Sequence, residues 1–208
     1  MMNQPEPADH YFLESYDTKG RFISYWHQIN ELVSLKAEKV LEVGIGNGFV
    51  SRYLRDRCVN ITTLDVVPEL KPDVSGSVLS MPFDDGAFDA VACCEVLEHL
   101  PYSDFQVALA EIWRVSRAHA VLSFPDHSAV YRFDVELPWF GEIKKLIPHP
   151  FPRAARHEYD SVHYWIIGKA QYPLGKIEAD IKKAGFKIRK TYRVFEFYSH
   201  RFFVLDKA

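Results

Sequence analysis

Apolar residues at Phe22, Trp26, Ile29 and Val33 recur at helical spacing, so residues 21–35 read as an amphipathic helix with one face turned to a core. The pattern then changes. Lys39-Val40-Leu41-Glu42-Val43-Gly44 is short, apolar and halted by glycine, as a buried parallel strand would be. Residues 49–57 return to a helical pattern through Phe49, Tyr53 and Leu54, and strands are predicted at 61–65, 73–78 and 88–94. The clearest helix spans 103–116, with Ser103 as its cap, Gln106 closing a capping box, and Phe105, Leu109 and Ile112 as the buried stripe. A strand at 120–124 ends at Pro125, and a helix at 174–184 turns Ile177 and Ile181 inward and stops at Gly185. Strands at 187–194 and 199–205 close the chain as a hairpin. Strand alternating with helix predicts an α/β fold, a parallel sheet between two layers of helices, with an antiparallel member from the hairpin.

Residues 125–172 break the rhythm. They hold four of the nine histidines and five of the twelve prolines with little periodicity, and so read as a lid or binding loop. The 208 residues suit one domain, with an N-terminal helical segment over about 1–37 and this insertion at about 125–172. A 48% hydrophobic and 25% charged composition excludes a disordered chain, and a net charge of −3 gives no basic field for nucleic acid. No stretch approaches the ~20 apolar residues of a membrane span, and residues 1–6 lack a charged-then-apolar leader. A cytoplasmic protein with no membrane partner is expected. Cys58, Cys93 and Cys94 are too few for a disulfide scaffold or a four-cysteine zinc site, and the adjacent pair reads as buried thiols.

The candidate chemistry begins at Gly44-Ile45-Gly46-Asn47-Gly48, between a strand and a helix. Glycines let the chain turn sharply and bring a ligand against bare backbone, while the helix behind offers free N–H groups. Dinucleotide sites favour Gly-x-Gly-x-x-Gly; here the third glycine comes one residue early and Glu42 stands two residues before the first. That carboxylate would repel a pyrophosphate but suits an ammonium group, which points to a nucleotide bearing an amino acid. Asp65 ends the next strand, where its carboxylate can accept from two ribose hydroxyls.

The stretch 40–48 resembles the first motif of class I S-adenosylmethionine-dependent methyltransferases. Leu79-Ser80-Met81-Pro82-Phe83-Asp84-Asp85-Gly86-Ala87-Phe88-Asp89 and Glu95-Val96-Leu97-Glu98-His99-Leu100 resemble two further segments of the branch called methyltransferase type 11, with a looser match at Lys183-Ala184-Gly185-Phe186. The resemblance implies a Rossmann-like seven-stranded sheet in order 3-2-1-4-5-7-6 with the seventh strand antiparallel. It implies S-adenosyl-L-methionine as cofactor, with Glu42 and Gly44 toward its amino-acid part, Gly46 and Gly48 shaping the loop, and Ile45 and Glu95 also cofactor-binding, Glu95 at the mouth where the acceptor enters. Asp65 would take the ribose, Val66 would pack beside the adenine, and Ser77, Val78 and Leu79 would recognise the adenine edge. Relatives often carry an acid at Ser77, and the usual Pro-Gly-Gly turn before the fifth strand is here Arg117-Ala118-His119.

On the acceptor side, the fold opens at the carboxyl ends of its fourth and fifth strands. His163, His127 and His99 are the candidate bases for an acceptor that arrives protonated, and Tyr159, Tyr164 and Trp165 the candidate pocket walls. The insertion carries six basic and six acidic residues, which favours a small-molecule acceptor over nucleic acid. Two alternatives stand beside this reading. Glu95, Glu98, His99 and His163 resemble the metal-ligand set of small-RNA 3′-end 2′-O-methyltransferases, although no metal is expected. The other is a cofactor-binding scaffold of the same fold without activity.

Overall fold

The structure, a computed structural model, describes residues 7–139, 141–151 and 153–208. Strands β1 (Lys39–Val43), β2 (Asn60–Asp65), β3 (Val74–Ser75), β4 (Phe88–Cys94) and β5 (Ser116–Pro125) run parallel. With β8 (Phe186–Arg193) and β9 (His200–Lys207) they form one seven-stranded sheet in the order β3-β2-β1-β4-β5-β9-β8. Counted within that sheet, this is the expected 3-2-1-4-5-7-6, and β9 pairs antiparallel with β5. The topology has a consequence for the site: an antiparallel last strand begins where its parallel neighbours end, and His200 pairs with Pro125 at that edge.

Helices α1 (Lys19–Ser34) and α2 (Phe49–Asp56) cover one face, where Tyr25, Leu32, Val50 and Leu54 pack on Val40, Ile61, Ala90 and Val121. Helices α3 (Phe105–Val115) and α4 (Leu174–Lys183) cover the other, with Phe105, Leu109, Ile112, Ile177 and Ile181 buried against Leu41, Val91 and Leu122. Each such side chain contributes about 1.5–3 kcal/mol by leaving water, which is why the apolar spacing located the helices. No helix among the described residues is long and apolar enough to cross a membrane.

Four expectations need correction. Helix α1 turns Tyr25 and Leu32 to the sheet, while Phe22, Trp26 and Val33 of the expected core face are exposed. Helix α3 has no capping box: a 3-10 turn at Tyr102–Asp104 leads into it, Ser103 Oγ donates to Asp104, and the Gln106 amide reaches the Asp180 carbonyl on α4. No turn separates α3 from β5; Arg117, Ala118 and His119 already lie in the strand, with Arg117 donating to Asp89 and His119 facing Asp206. The insertion is not without period. Val130–Leu137 (β6) and Gly141–Pro148 (β7) pair antiparallel as a separate ribbon, largely exposed on both faces.

Candidate functional site

The glycine loop leaves β1 with Gly44, Gly46 and Gly48 all at positive φ, of +80°, +53° and +72°. Gly44 and Gly48 carry the strictest demands: a Cβ on Gly44 would lie 2.3 Å from Val96 Cγ2, and Gly48 caps α2 in the left-handed region. Both Asp65 oxygens hold this turn, Oδ2 accepting from the Ile45 N–H at 2.9 Å and Oδ1 from the Val67 N–H at 2.9 Å. One carboxylate thus joins the loop to the end of β2 and keeps lone pairs for a further donor. Burial raises its acid form above the ordinary carboxylate value, partly offset by these backbone bonds from Val67 and Ile45.

A cleft open to solvent lies beside the loop, lined among others by Glu42, Gly44, Gly46, Glu95 and His200. Glu42 is 6% exposed, and its Oε2 has no hydrogen-bond partner. A buried acceptor without a donor is costly, so the cavity is shaped for a cationic donor. Without one, burial pushes the Glu42 acid up to about 8, against the lowering effects of Ser51 and Arg55. Its folded value exceeds its unfolded value of about 4.3, so the stabilisation is complete below that pH and is lost as pH rises toward 8. We therefore expect Glu42→Gln, measured without ligand, to melt close to the wild type at pH 4.5 and higher, by on the order of 5 °C, at pH 8. Equal melting curves at pH 8 would refute the burial argument.

The N-terminal segment closes over the loop. Asn47 Nδ2 donates to both Asp17 oxygens at 2.9 and 3.0 Å, and Tyr16 stacks under the Arg21 guanidinium at 3.9 Å. Further along the edge, Val66 is exposed, Val78 is buried, and Ser77 Oγ accepts from the Leu79 N–H at 3.2 Å. Ser77 keeps its hydroxyl proton free of that bond, so it presents a donor where relatives carry an acid.

The acceptor-side residues divide. The loop carrying Tyr159, His163, Tyr164 and Trp165 docks on the turn after β4: Tyr164 N–H donates to the Glu98 carbonyl at 2.8 Å, and His99 Nδ1 faces the Val162 carbonyl at 3.1 Å. Trp165 is not a pocket wall. It is fully buried among Tyr102, Phe105 and Phe124, and its indole donates to the Leu97 carbonyl. Tyr159 is half-exposed, stacks on Tyr164 and donates to the Ser161 carbonyl. His163 faces Asp160 at 3.2 Å and lies 5.1 Å from the His99 ring; His127 is held by its backbone to Ile167. His163, His127 and His99 do not line the cavity at the glycine loop. Glu98, His99 and His163 bring one potential ligand atom each within 4.8 Å of one another. The fourth member of that set, Glu95, is turned to Ser123 Oγ at 2.8 Å and His200 Nε2 at 3.4 Å. Glu98 is fully buried with both carboxylate oxygens unpartnered, and burial, then the neighbouring Glu95, raise its acid well above the ordinary carboxylate value.

Sequence reading missed His200 and Ser24. Ser24 Oγ lies 3.1 Å from His200 Nδ1, so both side chains meet at the cavity although 176 residues separate them. The signal was in the topology, since the expected antiparallel seventh strand had to begin at the edge where the site lies.

Residues 41–124 match the family model described as a methyltransferase domain. That match covers about two fifths of the chain, and the sheet order agrees with the one expected from the resemblance to class I methyltransferases. Over 88 residues the chain is 33% identical to the ubiquinone biosynthesis O-methyltransferase of Xylella fastidiosa, covering 35% of this chain and 36% of that protein. Over 98 residues it is 33% identical to the malonyl-[acyl-carrier protein] O-methyltransferase of Serratia marcescens, covering 42% and 37%. The chain thus spans little more than a third of these relatives' length. In fold it is similar to the 1,6-didemethyltoxoflavin-N1-methyltransferase of Burkholderia thailandensis, solved with S-adenosylhomocysteine, at a TM-score of 0.64, 14% identity and coverage of 96% and 84%.

Proposed function

We propose that the chain is an S-adenosylmethionine-dependent methyltransferase acting on a small-molecule acceptor, with residues 1–208 working as one domain. The observation that carries this is the pairing of Glu42, buried with an unpartnered oxygen, with Asp65, whose carboxylate is fixed across the glycine loop. Glu42 fits the α-ammonium of an amino acid and Asp65 the hydroxyls of a ribose, a combination the cofactor carries and a pyrophosphate dinucleotide does not. When bound, S-adenosylmethionine supplies a methyl group activated on a sulfonium. The chain's own part is to hold that methyl in line with the acceptor, and orientation of this kind is worth about 7 kcal/mol or more.

On this reading Glu42 and Gly44 serve the amino-acid end, Gly46 and Gly48 shape the loop, Ile45 and Glu95 border the cofactor with Glu95 at the acceptor mouth, and Val66, Ser77, Val78 and Leu79 serve the adenine end. Residues 125–172 serve as the acceptor-side cover, with Tyr159 and Tyr164 presenting rings and His163 and His99 polar groups beside the turn after β4. His127, half-buried, stands further along that cover. A small acceptor is favoured by the balanced charge of the insertion and by the kinds of acceptor named for the relatives. The lining of the cavity supports this reading, since among the described residues that form it Arg21 alone carries a fixed positive charge.

Calorimetry with S-adenosylmethionine and S-adenosylhomocysteine tests the proposal. Both should bind, and Asp65→Ala should weaken each by about 1–3 kcal/mol, since it removes the ribose acceptor and frees the Ile45 N–H. Absence of binding at millimolar ligand refutes the methyltransferase and the scaffold readings alike. Binding without turnover across a broad acceptor library leaves the scaffold.

A further inference from the structure

His200 is the one histidine in the cavity lining, and nothing in the cofactor assignments above uses it. It reaches the cavity from the first residue of β9, Ser24 from α1, Glu95 from the end of β4 and Ser123 from β5. Four separate elements therefore converge on one polar chain, Ser24–His200–Glu95–Ser123, with Ser24 Oγ to Nδ1 at 3.1 Å, Nε2 to Glu95 Oε2 at 3.4 Å and Ser123 Oγ to Oε1 at 2.8 Å. Glu95 is also held in the left-handed region at φ +55°, its N–H donating to the Ser123 carbonyl at 3.0 Å. A non-glycine residue persists there only where its surroundings over-determine it, and such strain concentrates at working sites.

The ring can move a proton without becoming charged. Burial denies His200 the imidazolium form, pushing its value down to about 3, with Arg21 and His163 adding to the effect. A neutral imidazole carries one proton on one nitrogen. With Glu95 as an acid, its O–H donates to Nε2, so Nδ1–H donates to Ser24. With Glu95 ionised, Nε2–H donates to the carboxylate and Nδ1 accepts from the Ser24 hydroxyl. The charge state of Glu95 and the tautomer of His200 are thus one variable.

That variable is poised. Burial raises the Glu95 acid, and Ser123 and Arg21 lower it. Cys94 at the end of β4, Tyr16 from the N-terminal segment and Glu42 from β1 line the same cavity, and the buried Glu98 on the turn after β4 interacts with Glu95 from outside that lining. A cation entering the cavity tips the balance toward ionised Glu95.

Resting on the proposed methyl transfer, we propose that Glu95 is the group that takes the acceptor's proton, emptied when the cationic cofactor binds, with His200 as its positioning residue. In the step, a lone pair of the acceptor X–H forms the X–CH₃ bond and the C–S bond breaks with its pair returning to sulfur. The proton from X passes to the Glu95 carboxylate; the His200 ring then gives its Nε2 proton to solvent and takes one from solvent on Nδ1, so that it changes tautomer with its proton count unchanged. Sulfonium charge and carboxylate charge vanish together, and the next cofactor expels the proton to solvent.

Calorimetry on the full chain at pH 7, in phosphate and in Tris, counts the protons released on binding. Any proton released by Glu42 to the α-ammonium is common to S-adenosylmethionine and S-adenosylhomocysteine and cancels in the difference. The expected result is a larger release for the sulfonium, with the difference abolished in Glu95→Gln when proton release is counted per mole of ligand bound at saturation. With ¹⁵N-labelled histidine, the His200 ring should show opposite tautomers in the two complexes and a single tautomer in Glu95→Gln, which a purely structural histidine would not do. Equal proton counts with both ligands bound, or one unchanged tautomer, overturn the inference and leave the methyltransferase reading standing. Failure of both ligands to bind overturns the methyltransferase reading, and this inference with it.

Discussion

Replacing Asp126 by alanine is expected to cost the fold about 3–5 kcal/mol, the range found when one partner of a buried ion pair is removed. Asp126 is fully buried where β5 ends. Its Oδ2 accepts from Arg201 Nε at 2.6 Å and lies 3.7 Å from Arg193 Nε, its Oδ1 accepts from the Ser128 N–H, and its carbonyl accepts from Arg193 Nη2. Both guanidinium groups come from the β8–β9 hairpin, with side chains only 5% and 13% exposed. Truncation would leave two buried cations without a counter-charge, and Arg193 already has its value lowered by burial. At roughly 2–4 °C per kcal/mol for a chain of this size, the melting temperature should fall by about 10 °C. The pH dependence runs opposite to that of Glu42. Burial opposes ionisation of Asp126, but the Ser128 and Arg201 hydrogen bonds outweigh it and hold the acid below its ordinary value. Its stabilisation is therefore present above the unfolded value of about 3.9 and is lost as pH falls through the folded one. Wild type and Asp126→Ala should differ most near neutrality and converge in acid. A difference under about 1 kcal/mol at pH 7 would mean that water, not the aspartate, satisfies the arginines.

That network also shows where sequence reading stops. Periodicity places a side chain on the core face of an element, and it located α2, α3, α4 and the central strands because each buries apolar groups. For α1 it found the helix but not its buried face, since Phe22, Trp26 and Val33 are exposed while Tyr25 and Leu32 are buried. Asp126, Arg193 and Arg201 obey no period; they meet because β9 runs back along β5. Trp165 failed for the same reason. Among histidines and tyrosines on the chain it reads as a pocket wall, yet its neighbours Phe105 and Phe124 lie 60 and 41 residues earlier and close over it. The β6–β7 ribbon is the reverse case. Tyr131, Phe133, Val135 and Leu137 alternate with Arg132, Asp134 and Glu136, a strand signal in plain view, obscured by the surrounding prolines and by the ribbon's standing apart from the sheet. The meeting of the glycine loop with Glu42 and Asp65 was legible because its constraint is local. A turn at the end of a strand, an acid before it and another at the end of the next strand come together once the two strands pair.

Gly44→Ala should be the most damaging single-methyl change at that turn, and it separates two physical effects. An added Cβ would stand 2.3 Å from Val96 Cγ2, and the residue would still have to hold φ at +80°. The left-handed conformation costs a non-glycine residue about 1–2 kcal/mol, and overpacking typically adds about 1–3 kcal/mol more. The loop relieves both by moving, and what it moves is the Ile45 N–H, now 2.9 Å from Asp65 Oδ2. The expected result is a folded but destabilised protein whose affinity for S-adenosylmethionine falls tenfold or more, about 1.4 kcal/mol. Pairing the change with Val96→Ala removes the facing methyl and leaves the backbone strain. If the clash dominates, the double variant should recover most of the affinity. If φ dominates, recovery should be small and Gly44→Asn, a residue that tolerates the left-handed region, should melt higher than Gly44→Ala despite its larger side chain. Unchanged affinity in Gly44→Ala would mean that the approach of bare backbone at this position is not what admits the ligand.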